Sequence, residues 1–124
     1  MKKEAKPLIW IAGSKKDLMS FPRDARGDIG HALHMAQIGS KAPASKPLQG
    51  FGGASVLEVV QNFDGDTYRA VYTVRFEEAV YVLHCFQKKS TSGIATPRHE
   101  IELIKARLRL AEESHEIWNR NKNS

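Results

Sequence analysis

Four side chains near the middle of this 124-residue chain could between them handle an anionic ester: Arg69, His84, Lys88 and Glu58. A guanidinium stays charged and can hold two phosphate oxygens at once, which suits Arg69 to an anion. His84 brings an imidazole whose ordinary pKa lies near neutrality, the natural general acid or base. Lys88 adds an ammonium, and Glu58 a carboxylate that could orient Arg69 or act as a base. Each also has a plainer reading. Arg69 and Glu58 could simply pair as a strand salt bridge, and a histidine between Val82 and Phe86 could be a packed, hydrogen-bonded residue. Lys88 could attract phosphate without taking part in chemistry.

What brings them together is a stretch of strands, 56–89. VLEVVQN, TYRAVYTVRF and AVYVLHCFQKK are rich in the β-branched and aromatic residues that suit a pleated, half-buried surface. Asp64-Gly65 between the first two is a strong hairpin signal, because a type I′ turn needs positive φ at both central residues. Glu77-Glu78 is taken as the second two-residue turn, although its residues are poor turn formers. Closing on these loops puts Phe63 opposite Asp66, Val60 opposite Arg69 and Glu58 opposite Val71. It also puts Phe76 opposite Ala79, Val71 opposite His84, Arg69 opposite Phe86 and Thr67 opposite Lys88. Strand side chains alternate between faces. One face then carries Leu57, Val59, Tyr68, Ala70, Tyr72, Val74, Phe76, Ala79, Tyr81, Leu83 and Cys85, and should meet the helices. The other carries Glu58, Val60, Asn62, Thr67, Arg69, Val71, Thr73, Arg75, Val80, Val82, His84, Phe86 and Lys88, and is expected to be the open, functional face. Lys88 and Lys89 point to opposite sides of a regular strand, and the register favours Lys88.

The rest of the chain supplies the frame. Leu8 to Ala12 reads as a buried first strand. Ser14 is placed to cap a short helix that Pro22 interrupts. A second helix then carries an apolar stripe of Ala25, Ile29, Ala32, Leu33 and Ala36, ended by Gly39. The segment 40–54, with Lys41 and Lys46, reads as a long Pro/Gly/Ser loop. Thr96 as cap and Pro97 at the first position start a last helix. Its buried stripe is Ile101, Ile104, Leu108 and Ala111, widened by Leu103 and Leu110, with Arg107 on its charged outer face. The tail from Asn119 reads as disordered. The expected order is β-α-α-β-β-β-α, an α+β fold with a mainly antiparallel sheet and a helical hairpin on one face. It forms one domain spanning 1–124, with an ordered core of about 8–118.

Composition excludes some classes. The chain is 41% hydrophobic and 27% charged, ordinary for a soluble protein. No apolar run reaches a membrane span, and the Lys-rich start lacks the apolar stretch of a signal peptide, so a cytoplasmic location without membrane is expected. The net charge of +5 and pI near 9.5 favour an acidic partner. The single cysteine, Cys85, falls on the apolar face and reads as a small buried hydrophobe. His31 and His34 lie one helical turn apart without a third ligand at a recognisable spacing, so no metal is expected. Asp64-Gly65-Asp66 lacks the twelfth-position glutamate of a calcium loop, and Gly50-Phe51-Gly52-Gly53 precedes a strand instead of opening a helix. No cofactor is implied.

The element order resembles the RelE/ParE toxin superfamily of type II toxin–antitoxin systems, and within it the phage-related HigB-like branch. The residues carrying the resemblance are Val56-Leu57-Glu58, Tyr68-Arg69-Ala70-Val71-Tyr72, His84-Cys85-Phe86-Gln87-Lys88-Lys89, and Thr96-Pro97 opening a helix. The resemblance implies a metal-independent endoribonuclease that cuts messenger RNA on the ribosome and so inhibits translation. It also implies a cognate helix-turn-helix antitoxin, with which the chain forms a hetero-oligomer. Arg69 matches the arginine of the family's Tyr-Arg strand motif, and Lys88 and Lys89 match the basic pair that ends its last strand.

Cleavage through the 2′-hydroxyl of RNA requires proton removal, charge stabilisation on phosphorus and a proton for the leaving oxygen. Arg69, with Lys88 or Lys89, suits the second task; His84 and Glu58 are candidates for the proton transfers. Lys41, Lys46 and Arg75 are candidate RNA contacts. Phe86 is either a platform for a base or a residue covered by the last helix. Two other readings stand beside this one. A ParE-like protein would inhibit DNA gyrase by binding alone. A degenerate, non-toxic module would only bind the antitoxin, and Val60 supports it, since many HigB-like relatives carry arginine there.

Overall fold

Asp64 and Gly65 adopt φ values of 51° and 85°, the two positive values that a type I′ turn demands. They join β3 (Val56–Phe63) to β4 (Asp66–Thr73) in the expected register, with Val60 opposite Arg69 and Glu58 opposite Val71. The computed structural model describes residues 4–88 and 96–122. In chain order the elements are β1 (Leu8–Trp10), α1 (Ser14–Met19), α2 (Arg23–Gln37), β2 (Ser45–Pro47), β3, β4, β5 (Val80–Lys88) and α3 (Arg98–Lys122). The sheet runs β1-β5-β4-β3-β2, antiparallel except that β1 lies parallel to β5. The fold is α+β as expected, with one strand more. β2 lies in the segment read as loop, because Ser-Lys-Pro has neither alternation nor β-branched residues to announce it.

The second hairpin differs from expectation. Glu77-Glu78 is not a two-residue turn: β4 ends at Thr73 and β5 begins at Val80. Val71 still faces His84, Arg69 faces Phe86 and Thr67 faces Lys88, but Tyr72 faces Val82 and Thr73 faces Tyr81. Leu83 is therefore an extra residue in β5, a bulge. A single inserted residue flips every side chain beyond it. Phe76, Ala79, Tyr81 and Leu83 consequently lie on the face opposite the one expected, and Val80 and Val82 take their place.

Both faces are covered. On one, α1, α2 and the turn between them bring Leu18, Phe21, Ala25, Ile29, Ala32, Leu33 and Ala36 against Leu57, Val59, Tyr68, Ala70, Tyr72, Val80, Val82 and Cys85. The α2 stripe is the one its spacing implied, and Gly39 at φ 80° follows the helix end. On the other face α3 packs Ile104, Leu108 and Ala111 on Val56, Val71, Tyr81 and Leu83. Leu103 and Leu110 do not widen this stripe; they are 36% and 49% exposed. Instead of fraying from Asn119, α3 continues to Lys122. Ser14 does not cap α1: it is the first helical residue, and its hydroxyl donates to the Val82 carbonyl at 3.2 Å.

Candidate functional site

Successive rungs of the sheet lay out the candidate residues. One rung runs Lys46, Glu58, Val71, His84; the next runs Val60, Arg69, Phe86; a third runs Asn62, Thr67, Lys88. Directly opposite residues share a face, so Lys46, Glu58, Arg69, His84, Phe86 and Lys88 occupy one side of the sheet within a few steps. The face is not open, however. Arg69 is 2% exposed and His84 6%, because the start of α3 lies across them.

Arg69 sits on the central strand in a three-way contact. Its Nη1 donates to Glu58 Oε2 at 3.5 Å and to Thr96 Oγ1 at 3.2 Å, while Thr96 Oγ1 donates to Glu58 Oε2 at 2.5 Å. Thr96 is thus not spent as a helix cap. The first turn closes instead on the Pro97 carbonyl, which accepts from Glu100 and Ile101. A guanidinium so deeply buried needs a carboxylate partner, and Glu58 provides it.

His84 is gripped from both ring nitrogens. Arg107 Nη1 lies 3.1 Å from Nδ1, and also donates to the Leu83 carbonyl at 3.0 Å. Because a guanidinium can only donate, Nδ1 must accept, which leaves Nε2–H to donate to the Glu100 carboxylate. Burial depresses the His84 pKa most, and the Arg107 charge lowers it further, against an upward pull from Glu100 and a weaker one from Asp17. Phe86 stacks on the imidazole with centroids 4.9 Å apart. His84 is therefore a neutral imidazole of defined tautomer while α3 is in place.

Farther along, α3 has a second attachment. His115 is buried, with Nδ1 3.0 Å from the Tyr81 hydroxyl and Nε2 2.8 Å from Glu78 Oε1. Phe76, Tyr81 and Trp118 surround it, with ring centroids 4.3 to 5.6 Å from that of His115.

The other candidates are more scattered. Lys46 is exposed, but stands opposite Glu58 and so borders the site. Lys41 is exposed in the loop before β2. Arg75 lies in the β4–β5 connection, where it pairs with Glu112 of α3 at 3.4 Å. Lys88 is half-buried at the end of β5, and Lys89 lies outside the described residues. Cys85 belongs to the opposite face, where burial pushes its thiol up to about 12. His31 and His34 are exposed on α2.

Three residues escaped the sequence reading: Thr96, Glu100 and Arg107. In sequence a capping threonine is indistinguishable from one whose hydroxyl turns inward, as that of Thr96 does. Arg107, expected on the outer face, reaches inward to the Leu83 carbonyl and His84 instead. Its position three residues past Ile104 puts it at the edge of the buried stripe, and its long arm carries the charge inward. Glu100, one turn ahead of Ile104, offered a similar signal.

A sheet of this order, with a helical hairpin on one face and a terminal helix on the other, is the RelE fold. The structure matches that of an arginine double mutant of the Escherichia coli toxin RelE in its free state, with a TM-score of 0.50 and 20% identity. That alignment covers 66% of this chain and 82% of the other. A weaker likeness, TM-score 0.45 at 16% identity, is to the toxin–antitoxin complex RelBE2 from Mycobacterium tuberculosis, covering 68% of this chain and 100% of that one. No curated protein sequence matches the chain. Residues 16–109 match the model of the family described as phage-derived protein Gp49-like (DUF891). The chain belongs to that family, which is of the RelE/HigB toxin type.

Proposed function

We propose that this protein is the toxin of a type II toxin–antitoxin pair and that it cuts messenger RNA on the ribosome. The observation that carries the reading is the grouping of Arg69, His84, Phe86 and Lys88 on one sheet face in adjacent rungs. Arg69 would hold the non-bridging oxygens as charge builds on phosphorus. His84, once freed from Glu100, would present its Nε2 to a proton transfer. Lys88 or Lys89 would neutralise the leaving oxygen, and Phe86 would stack on a base. Lys46 borders the path of the strand; Lys41 and Arg75 would contact RNA only outside the reacting centre. A helix-turn-helix antitoxin is the proposed partner in the cell.

The test is cleavage of translated messages by antitoxin-free protein in a ribosome-containing extract. Arg69→Lys keeps a charge beside Glu58 but loses the planar fork, and should slow cleavage about 100-fold or more. Intact messages with the unsubstituted chain would overturn the reading. DNA damage in place of cleavage would point to gyrase. One observation favours the non-toxic module: Arg69 and His84 are buried. Expression without an antitoxin, with growth followed, separates that reading, since such a module would not arrest the cell.

A further inference from the structure

We infer that the start of α3, residues 96–103, is a lid whose polar groups occupy the donors that a phosphodiester would use. The contacts divide sharply at Ile104. From there onward α3 is held by apolar burial, by Arg107 on the Leu83 carbonyl and His84 Nδ1, and by the ring cluster: Ile104 and Ala111 are fully buried, and His115 sits among Phe76, Tyr81 and Trp118. Ahead of Ile104 the attachment is polar. Thr96 lies on Arg69 and Glu58, and Glu100 lies on His84. Ile101 is only half-buried and Leu103 is exposed.

This asymmetry sets the direction of opening. A phosphate oxygen is an anionic acceptor like the Glu100 carboxylate, and a stronger acceptor than the neutral Thr96 hydroxyl, so an RNA backbone can replace Glu100 on His84 and Thr96 on Arg69. Nothing in a nucleic acid would replace the apolar contacts beyond Ile104. Helix ends also detach more readily than helix middles, because the first turn has fewer intrahelical bonds to lose. The segment therefore peels from its first turn, and Ile104 is where peeling stops. Glu100 then restrains the site: it holds the Nε2 proton of His84 and keeps a negative charge where substrate charge must come. The identity of the displacing group rests on the nuclease reading; the peeling itself does not.

Arg69 reports on the lid directly. In the intact chain, modification of Arg69 by a dicarbonyl reagent, followed by mass spectrometry, should rise about tenfold in Glu100→Gln and in Thr96→Val. Cys85, sealed on the opposite face, should stay unreactive to thiol reagents and so certify that the sheet is folded. If a variant fails to fold, the unsubstituted chain in low urea serves instead: Arg69 should become reactive before Cys85 does. Arg69 and Cys85 becoming reactive together would overturn the lid, as would unchanged Arg69 reactivity in folded variants. In the ribosomal extract Glu100→Gln should cleave at least threefold faster, and slower cleavage would overturn Glu100 as a restraint on the site. If the unsubstituted chain does not cleave at all, the nuclease reading fails while the Arg69 reactivity still decides the lid.

Discussion

The two faces of the sheet are covered by helices in different ways. Under α1 and α2 the interface is almost wholly apolar, from Leu18 and Phe21 through Ile29 and Leu33 to Tyr72 and Cys85. Its polar inclusions, such as the Tyr72 hydroxyl donating to Ser45 at 2.8 Å, are satisfied locally. Under α3 a smaller apolar patch is flanked by Arg69 with Glu58 at one end and His115 with Glu78 at the other. Apolar burial is non-directional and lost only by separating whole surfaces, whereas charged contacts can be exchanged for others of the same kind. One face builds the fold; the other can change partners.

A pair of matched core truncations should tell the two faces apart most strongly. Ile29→Ala, on the sealed face, should cost about 2–5 kcal/mol, with sheet and helix probes melting together in a urea titration. Ile104→Ala removes the same atoms but should loosen α3 before the sheet, so that helix and sheet transitions separate. Coincident transitions in both variants would mean that the two faces are equally integral.

A smaller effect comes from pH. The folded pKa of His84 lies below the ordinary imidazole value of about 6.5, chiefly through burial. Between those two values the unfolded chain binds a proton that the folded chain refuses, so stability falls as pH drops through the window. It is level above the window, where neither state is protonated at this residue. Protonation would also place a hydrogen on Nδ1, where Arg107 now donates. His84→Gln should flatten this part of the urea-midpoint profile between pH 7.5 and 5.5. An unchanged slope would remove His84 as its source.

The least effect belongs to Arg75 and Glu112. Both are substantially exposed, and such pairs are worth roughly 0–1 kcal/mol. Glu112→Ala should leave the urea midpoint nearly unmoved. A large loss would show that the outer edge of α3 is held more tightly than its polar start.

Much of this was legible in the sequence, and the failures have physical causes. Asp64-Gly65 encodes its own turn, so the β3–β4 register followed from two residues. Glu77-Glu78 encodes none, and with the loop length undetermined, the bulge at Leu83 could not be foreseen. That error inverted Phe76, Ala79, Tyr81 and Leu83, yet left Arg69, His84 and Lys88 correctly grouped, because they lie on the hairpin-distal side of the bulge. Covering of the site was harder to read. A helix with apolar residues at Ile104, Leu108 and Ala111 must pack somewhere, but helical spacing does not say on which sheet face.

One strand at the margin has a consequence of its own. Just past β2, Leu48 donates its amide inward to the Val56 carbonyl at 2.9 Å, so by alternation the backbone nitrogens of Ser45 and Pro47 point away from the sheet. The Ser45 amide is already taken by the Ala42 carbonyl at 3.0 Å, and proline has none to give. Among these three residues no outward amide is left for another chain to pair with. With Lys46 charged beside it, that rim is a poor template for runaway strand-by-strand growth.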